Sequence, residues 1–154
     1  MEITHLATSK NKEVVIELVE EADYGSLTEA EYHFDWLSEK GSDVYKLKFP
    51  DNDEILGLMS LKVYAAEKRI EIVLLASSVK NTGKGKEYEG IAGNLIAFAC
   101  REANKLFDID ACVSLHPKTE IRRHYIKQYG FENAGIQIFL DGVALFNLLT
   151  KFKI

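Results

Sequence analysis

The stretch Glu87-Tyr88-Glu89-Gly90-Ile91-Ala92-Gly93-Asn94-Leu95-Ile96 decides the reading of this chain. Small residues crowd the point where a helix begins, and an apolar stripe follows at helical spacing through Ala92, Leu95, Ile96, Ala99, Ala103 and Leu106. The first backbone N–H groups of a helix have no intrahelical partner, and the aligned peptide dipoles stand behind them, so such a terminus holds anions. Side chains would block the approach, which is why Gly90, Ala92 and Gly93 matter. Each negative charge placed there gains about 0.3–1 kcal/mol when exposed and about 2 kcal/mol when partly buried, so a pyrophosphate suits it well.

Working outward, the polar, glycine-bearing loop Val79–Glu89 leads into this helix, and three strand-like runs precede it: Val44–Phe49, Glu54–Ala65 and Arg69–Ser77. Short polar connections, Pro50–Asp53 and Ala66–Lys68, predict an antiparallel meander. Towards the N-terminus, Ile3–Ala7 predicts a strand. Val14, Val15, Leu18, Val19 and Ala22 recur at helical spacing and predict a first helix, and Ser26-Leu27-Thr28-Glu29, in capping-box form, opens a second through Ala30, Phe34 and Leu37. Beyond the central helix come a strand at Ala111–Leu115, a helix from Pro117 to Tyr129 closed by Gly130, a strand over Phe131–Leu140, and an apolar C-terminal helix, Val143–Phe152. The order β-α-α-β-β-β-α-β-α-β-α predicts one α/β (α+β) domain spanning residues 1–154, with a mixed sheet between helices.

Two nucleotide loops fail on spacing. Gly83-Lys84-Gly85-Lys86 lacks the G-x-x-x-x-G-K-S/T of a P-loop, and a dinucleotide fingerprint would need glycine where Tyr88 stands. Glu87 to Ala92, with its apolar continuation, instead resembles the acyl-coenzyme A motif R/Q-x-x-G-x-G/A of the GNAT N-acetyltransferases. His124-Tyr125-Ile126-Lys127-Gln128-Tyr129-Gly130-Phe131 is similar to that family's Y-x-x-x-G-F signature. The motif similarity covers about residues 69–135, and the order of elements extends it over nearly the whole chain. Glu87 replaces the usual Arg or Gln, the preceding loop is long, and Tyr125 lies one residue further from Gly130 than the family's tyrosine.

The resemblance implies a three-layer fold and acetyl-CoA as co-substrate. It implies a donor site at Leu75, Ala76 and Ser77 on the strand, Lys84 and Lys86 in the loop, and Glu87, Tyr88, Glu89, Gly90, Ile91, Ala92 and Gly93 at the helix start. Transfer to an amine needs a base, because an alkylamine at pH 7 lies about 4.6 kcal/mol from its neutral form, and a proton for the leaving thiolate. Glu71, near the start of the strand before the motif, matches the place of the family's carboxylate base. Tyr125, a phenol protonated at neutral pH, is the matching acid, with Tyr129 second. A backbone N–H from Leu74–Ser77 would polarise the carbonyl. His116 and His124 read as structural or surface histidines. Lys80, Lys84 and Lys86 read equally as phosphate contacts and as solvated loop lysines.

Composition narrows the partners. Nineteen Lys and Arg against 24 Asp and Glu give a net charge of −5, and no basic face with interleaved aromatics appears, which disfavours nucleic acid. No apolar run spans a bilayer and no signal segment is visible, so the expectation is cytoplasmic. Cys100 and Cys112 lack metal or redox spacing and read as buried thiols, and no metal is implied. The acceptor is a small-molecule or peptide amine, and Glu20, Glu21, Asp23, Glu29, Glu31 and Asp35 would favour a cationic one or form a solvated face. A catalytically silent acyl-CoA-binding module is the alternative, and Val143–Phe152 offers a surface for a homodimer.

Overall fold

In the computed structural model, which describes residues 1–154 apart from the side chain of Thr119, the strands are β1 (Glu2–His5), β2 (Lys10–Glu13), β3 (Val15–Leu18), β4 (Asp43–Lys48), β5 (Ile55–Tyr64), β6 (Arg69–Ser77), β7 (Tyr88–Glu89), β8 (Cys112–Leu115), β9 (Glu132–Ala134) and β10 (Gln137–Asp141). The helices are α1 (Glu29–Tyr32), α2 (Ile91–Phe107), α3 (Thr119–Tyr129) and α4 (Gly142–Phe152). A seven-stranded sheet runs β3-β4-β5-β6-β8-β10-β9, and β2-β1-β7 form a separate three-stranded sheet. The larger sheet is mixed: β6 and β8 are parallel, whereas β3 with β4 and β10 with both β8 and β9 are antiparallel. Contacts group the chain into two compact units, Met1–Ser60 with Leu74–Leu95, and Leu61–Val73 with Ile96–Ile154, and β5, β6 and α2 each continue from one into the other.

The first unit is organised around Leu27, Tyr32, Trp36, Val44, Ile55, Leu58 and Ala76. Trp36 is wholly buried, and its ring N–H donates to the Tyr32 carbonyl at 2.9 Å, while the Tyr32 hydroxyl donates to the Ile55 carbonyl at 3.0 Å. Both aromatic residues thereby bury large apolar areas with their polar tips satisfied. Gly57 lets α2 approach β5: a β-carbon there would lie 2.5 Å from Ile91 Cγ2 and 3.1 Å from Leu95 Cδ1.

In the second unit, β6 and β8 pair from Arg69↔Cys112 to Ile72↔Leu115. Helix α3 ends at Gly130, whose left-handed backbone (φ 84°) lets its N–H reach the Ile126 carbonyl at 3.1 Å. Arg122 then donates to the Ile136 carbonyl at 2.7 Å and to Asn133 Oδ1 at 3.0 Å, tying α3 to the turn between β9 and β10. Leu145 and Leu148 of α4 are buried, whereas Val143 and Phe146 are exposed.

Three sequence expectations are corrected. Val14–Ala22 is not a helix: Val15–Leu18 forms edge strand β3 in register with Tyr45–Lys48, and a 3₁₀ segment, Glu21–Ser26, follows. β-branched residues lose side-chain freedom in a helix, and the open edge of β4 offered them a ladder. The second helix starts two residues later, with Thr28 Oγ1 accepting from the Glu31 N–H at 3.3 Å, and lasts one turn before His33 enters positive φ. Phe131–Leu140 is a hairpin, turning at Gly135 (φ 72°) and Ile136, because Ala134 pairs with Gln137. Strands β2 and β7 were also unforeseen.

Candidate functional site

Helix α2 starts at Ile91, and its first intrahelical bond runs from the Asn94 N–H to the Gly90 carbonyl at 3.0 Å. Gly90 holds φ +102°, a conformation that residues with a β-carbon rarely adopt. The N–H groups of Ile91, Ala92 and Gly93 are therefore the unpaired donors of the first turn, with Gly90 and Ala92 partly accessible and Ile91 and Gly93 buried.

The segment before the helix is tied to the N-terminal strand. Tyr88 and Glu89 pair with His5 and Thr4, and the Leu6 N–H donates to the Glu87 carbonyl at 2.9 Å. The Tyr88 side chain is buried, edge-on to Phe49 at 5.4 Å, so this residue offers backbone rather than side chain to a ligand. Glu87 lies 3.3 Å from His5 Nε2, and Glu89 pairs with Lys86 at 2.6 Å. Each loop carboxylate thus faces a basic side chain instead of standing alone at the helix terminus. Lys84 is exposed, and Lys80 pairs with Glu54, away from the role of phosphate contact.

Strand β6 contributes a second set of donors. Its register with β8 stops at Ile72, yet it continues to Ser77. The Ser78 N–H donates to the Leu56 carbonyl at 2.8 Å, so this residue's backbone turns towards β5. Successive residues of a strand present their backbone groups to opposite edges. Between Val73 and Ser77, beyond the last pair with β8 at Ile72, backbone N–H groups are accordingly divided between the β5 side and the side where the β8 pairing has ended, while Ala76 is buried.

A cavity of about 290 Å³ lies beside α1 and the end of β6, lined among others by Glu31, Tyr32, Glu54, Ser78 and Lys80. Burial raises the Tyr32 hydroxyl pKa above its usual value, and the Glu31 and Glu54 carboxylates add to that. Sequence reasoning missed this cavity, because Glu54 and Ser78 belong to no motif. Of the acidic residues expected to attract a cation, two are engaged elsewhere: Asp23 with Lys46 at 2.6 Å, and Glu21 with Lys40.

In the second unit, Glu71 sits on β6 opposite Ser114, partly exposed, with Arg69 Nη1 at 4.0 Å. Arg69 is itself held by Glu67 and by Ser114 Oγ at 2.8 Å, so the carboxylate stands at the rim of a cationic group already engaged. Tyr125 is half-buried on α3 among the rings of Tyr129 (5.9 Å), His124 (6.0 Å) and Phe131 (6.2 Å). Burial raises its pKa above the usual 10.0, keeping the phenol protonated. His116 and His124 are exposed. Among the described residues no cluster of His, Cys, Asp and Glu is arranged for a metal, and no helix is long and apolar enough to cross a membrane.

No family model and no curated protein matches the sequence. Solved structures do. N-acetylglutamate synthase from Neisseria gonorrhoeae, complexed with coenzyme A and L-arginine, superimposes with a TM-score of 0.64 at 15% identity over 88% of this chain and 34% of its own. A GNAT family acetyltransferase from Elizabethkingia anophelis with acetyl-CoA bound gives 0.61 at 15% identity, covering 83% of this chain and 97% of its own. The chain has the GNAT fold. The ribosomal-protein-S18-alanine N-acetyltransferase of Escherichia coli is similar to the same degree, with a TM-score of 0.61 at 15% identity over 83% of this chain and 93% of its own. In this chain the long helix α2, entered through Gly90, follows a strand, β6, that outruns its parallel neighbour, with the loop and β7 between them. The chain spans about a third of the length of the Neisseria synthase.

Proposed function

We propose that the chain is a single GNAT-like acyltransferase domain that moves an acetyl group from acetyl-CoA to an amine by direct transfer. One observation carries the reading: the unpaired N–H groups opening α2 come after a strand, β6, that runs on to Ser77 past its last pair with β8 at Ile72. The helix terminus and the strand end suit the pyrophosphate and the pantetheine amides of one extended ligand. Gly90 and Ala92 leave the helix terminus accessible, the Glu89 carboxylate is offset by Lys86, and the Glu87 carboxylate lies against the His5 ring. The solved relatives with coenzyme A or acetyl-CoA bound support the same donor.

Acetyl-CoA supplies an activated thioester. A backbone N–H from Leu74–Ser77 polarises its carbonyl oxygen, which gains charge as the amine attacks. Glu71 takes the proton from the acceptor ammonium. As the amine nitrogen bonds to the carbonyl carbon and the C–S bond breaks, Tyr125 gives its hydroxyl proton to the departing thiolate and regains one from the second proton that the attacking nitrogen sheds. Its raised pKa keeps it protonated beforehand. The acceptor is a small-molecule or peptide amine, and the Glu31 carboxylate at the cavity favours a cationic one, Glu54 being paired with Lys80. The free thiols Cys100 and Cys112 fit a cytoplasmic protein, and exposed Val143 and Phe146 on α4 fit a homodimer contact.

Thermal unfolding with and without acetyl-CoA tests the donor. Ligand at a hundred times its dissociation constant adds about 2.7 kcal/mol, or about 5–10 °C for a domain of this size. ATP and NAD at the same concentration should leave the midpoint unmoved. No shift with acetyl-CoA overturns the reading. A shift without turnover on an amine panel leaves a silent acyl-CoA-binding module.

A further inference from the structure

Asn94 is a fully buried polar residue, and nothing in the transfer chemistry uses it. Its side-chain Nδ2 donates to two carbonyl oxygens at once, those of Gly90 and Glu2, each at 2.8 Å. Because both neighbours are acceptors, the amide nitrogen must face them. Its Oδ1 is buried and has no partner among the described residues. A buried amide that leaves its own acceptor unpaired is a costly choice for packing alone.

The two bonds have different consequences. The bond to Glu2 continues the β1–β7 ladder past its last residue. Leu6 bonds Glu87, Thr4 pairs with Glu89, and Glu2, two residues further along the same edge, meets Asn94 where the chain has already turned into the helix. The bond to Gly90 fixes the plane of the Gly90–Ile91 peptide. In a trans peptide the carbonyl and the N–H point in opposite directions. A Gly90 carbonyl drawn into α2 by both the backbone and the side chain of Asn94 therefore aims the Ile91 N–H outward, along the axis of the anion site. Gly90 at φ +102° has the torsional freedom that makes such a clasp necessary.

We infer that Asn94 is a positioning residue for the donor phosphates, and that through it the N-terminal strand β1 forms part of the coenzyme A-binding apparatus. The inference rests on the proposed donor site at α2. It differs from a packing role in one respect: Asn94 acts on the ligand only through the helix-terminal N–H groups, so it affects ligands that carry phosphate and spares those that do not.

The test measures the affinity of wild type, Asn94→Asp and Asn94→Leu for coenzyme A by calorimetry, and for pantetheine, which lacks the phosphates, by NMR titration. Asn94→Asp keeps the shape and removes the donor; Asn94→Leu removes the amide without adding a charge near the phosphates. Both variants should bind coenzyme A about ten-fold more weakly, the scale of one hydrogen bond's worth of alignment, while pantetheine binds as it does to wild type. Unchanged coenzyme A affinity in either folded variant overturns the inference, as does an equal loss for both ligands, which would mark Asn94 as scaffold. Wild type that fails to bind coenzyme A overturns the donor reading itself, a result separable from the other two.

Discussion

Tyr125 places a phenol among three rings, and burial alone pushes its pKa upward. If it protonates the leaving thiolate, Tyr125→Phe removes the proton and leaves the packing. The expected outcome is a fall in kcat of about 10²-fold at unchanged KM for acetyl-CoA, measured by thiol release. Because the raised pKa keeps the hydroxyl protonated, the alkaline fall in the wild-type rate belongs above pH 10 and disappears in the variant. Cys100 shows the same cause without a function: burial pushes its thiol to about 12, and Cys112 is also raised, by burial first. Native protein should therefore react slowly with a thiol reagent at pH 8, and both thiols should titrate on unfolding. That Gly90 opens α2 and Gly130 closes α3 was legible because helix ends and left-handed glycines have local signatures. What stands beside Glu87 was not legible, since His5 comes from a strand far away in sequence.

At the scale of elements, α2 is the best-determined feature, its small and apolar residues recurring at helical spacing through Leu106. How closely it approaches the sheet depends on Gly57 in β5. Gly57→Ala puts a β-carbon 2.5 Å from Ile91 Cγ2, on a β-branched side chain with little freedom to move. The variant should lose about 1–3 kcal/mol in urea unfolding. It should also bind coenzyme A more weakly, because the displaced residue opens the anion-binding turn. Where periodicity misled, the residues explain why. Val14, Val15, Leu18 and Val19 satisfy a helical spacing, but Val14, Val15, Ile16 and Val19 are β-branched, and β4 offered an edge. The one-turn helix α1 was expected to be longer because Ser26-x-x-Glu29 resembles a capping box, whereas it is Thr28 that caps the helix, accepting from the Glu31 N–H.

For the molecule as a whole, pH tests the charge arrangement. Lys46 is almost buried and its ammonium meets Asp23 at 2.6 Å and Glu17 at 3.6 Å. Burial pushes the Asp23 carboxyl up, but the Lys46 hydrogen bond, the Glu20 N–H and the nearby lysine charges outweigh it and hold the carboxyl below its usual 3.8. A depressed pKa contributes stability that is present above the unfolded value and is lost as pH falls through the folded one. Asp23→Ala should therefore cost about 1–3 kcal/mol at pH 7, and the gap from wild type should close only below about pH 4. By itself the sequence determined the central helix, the glycine entry that opens its terminus, the strands of the middle segment, and the family resemblance these carry. All of these depend on spacing within a dozen or so residues, where backbone geometry and side-chain periodicity act directly. Only the tertiary structure decided that Val15–Leu18 joins a sheet, that β1 is tied to the start of α2 through Asn94, and that Asp23 pairs with Lys46. Those outcomes depend on which edge, carbonyl or ammonium lies nearby in space, and distant segments of the chain supply them.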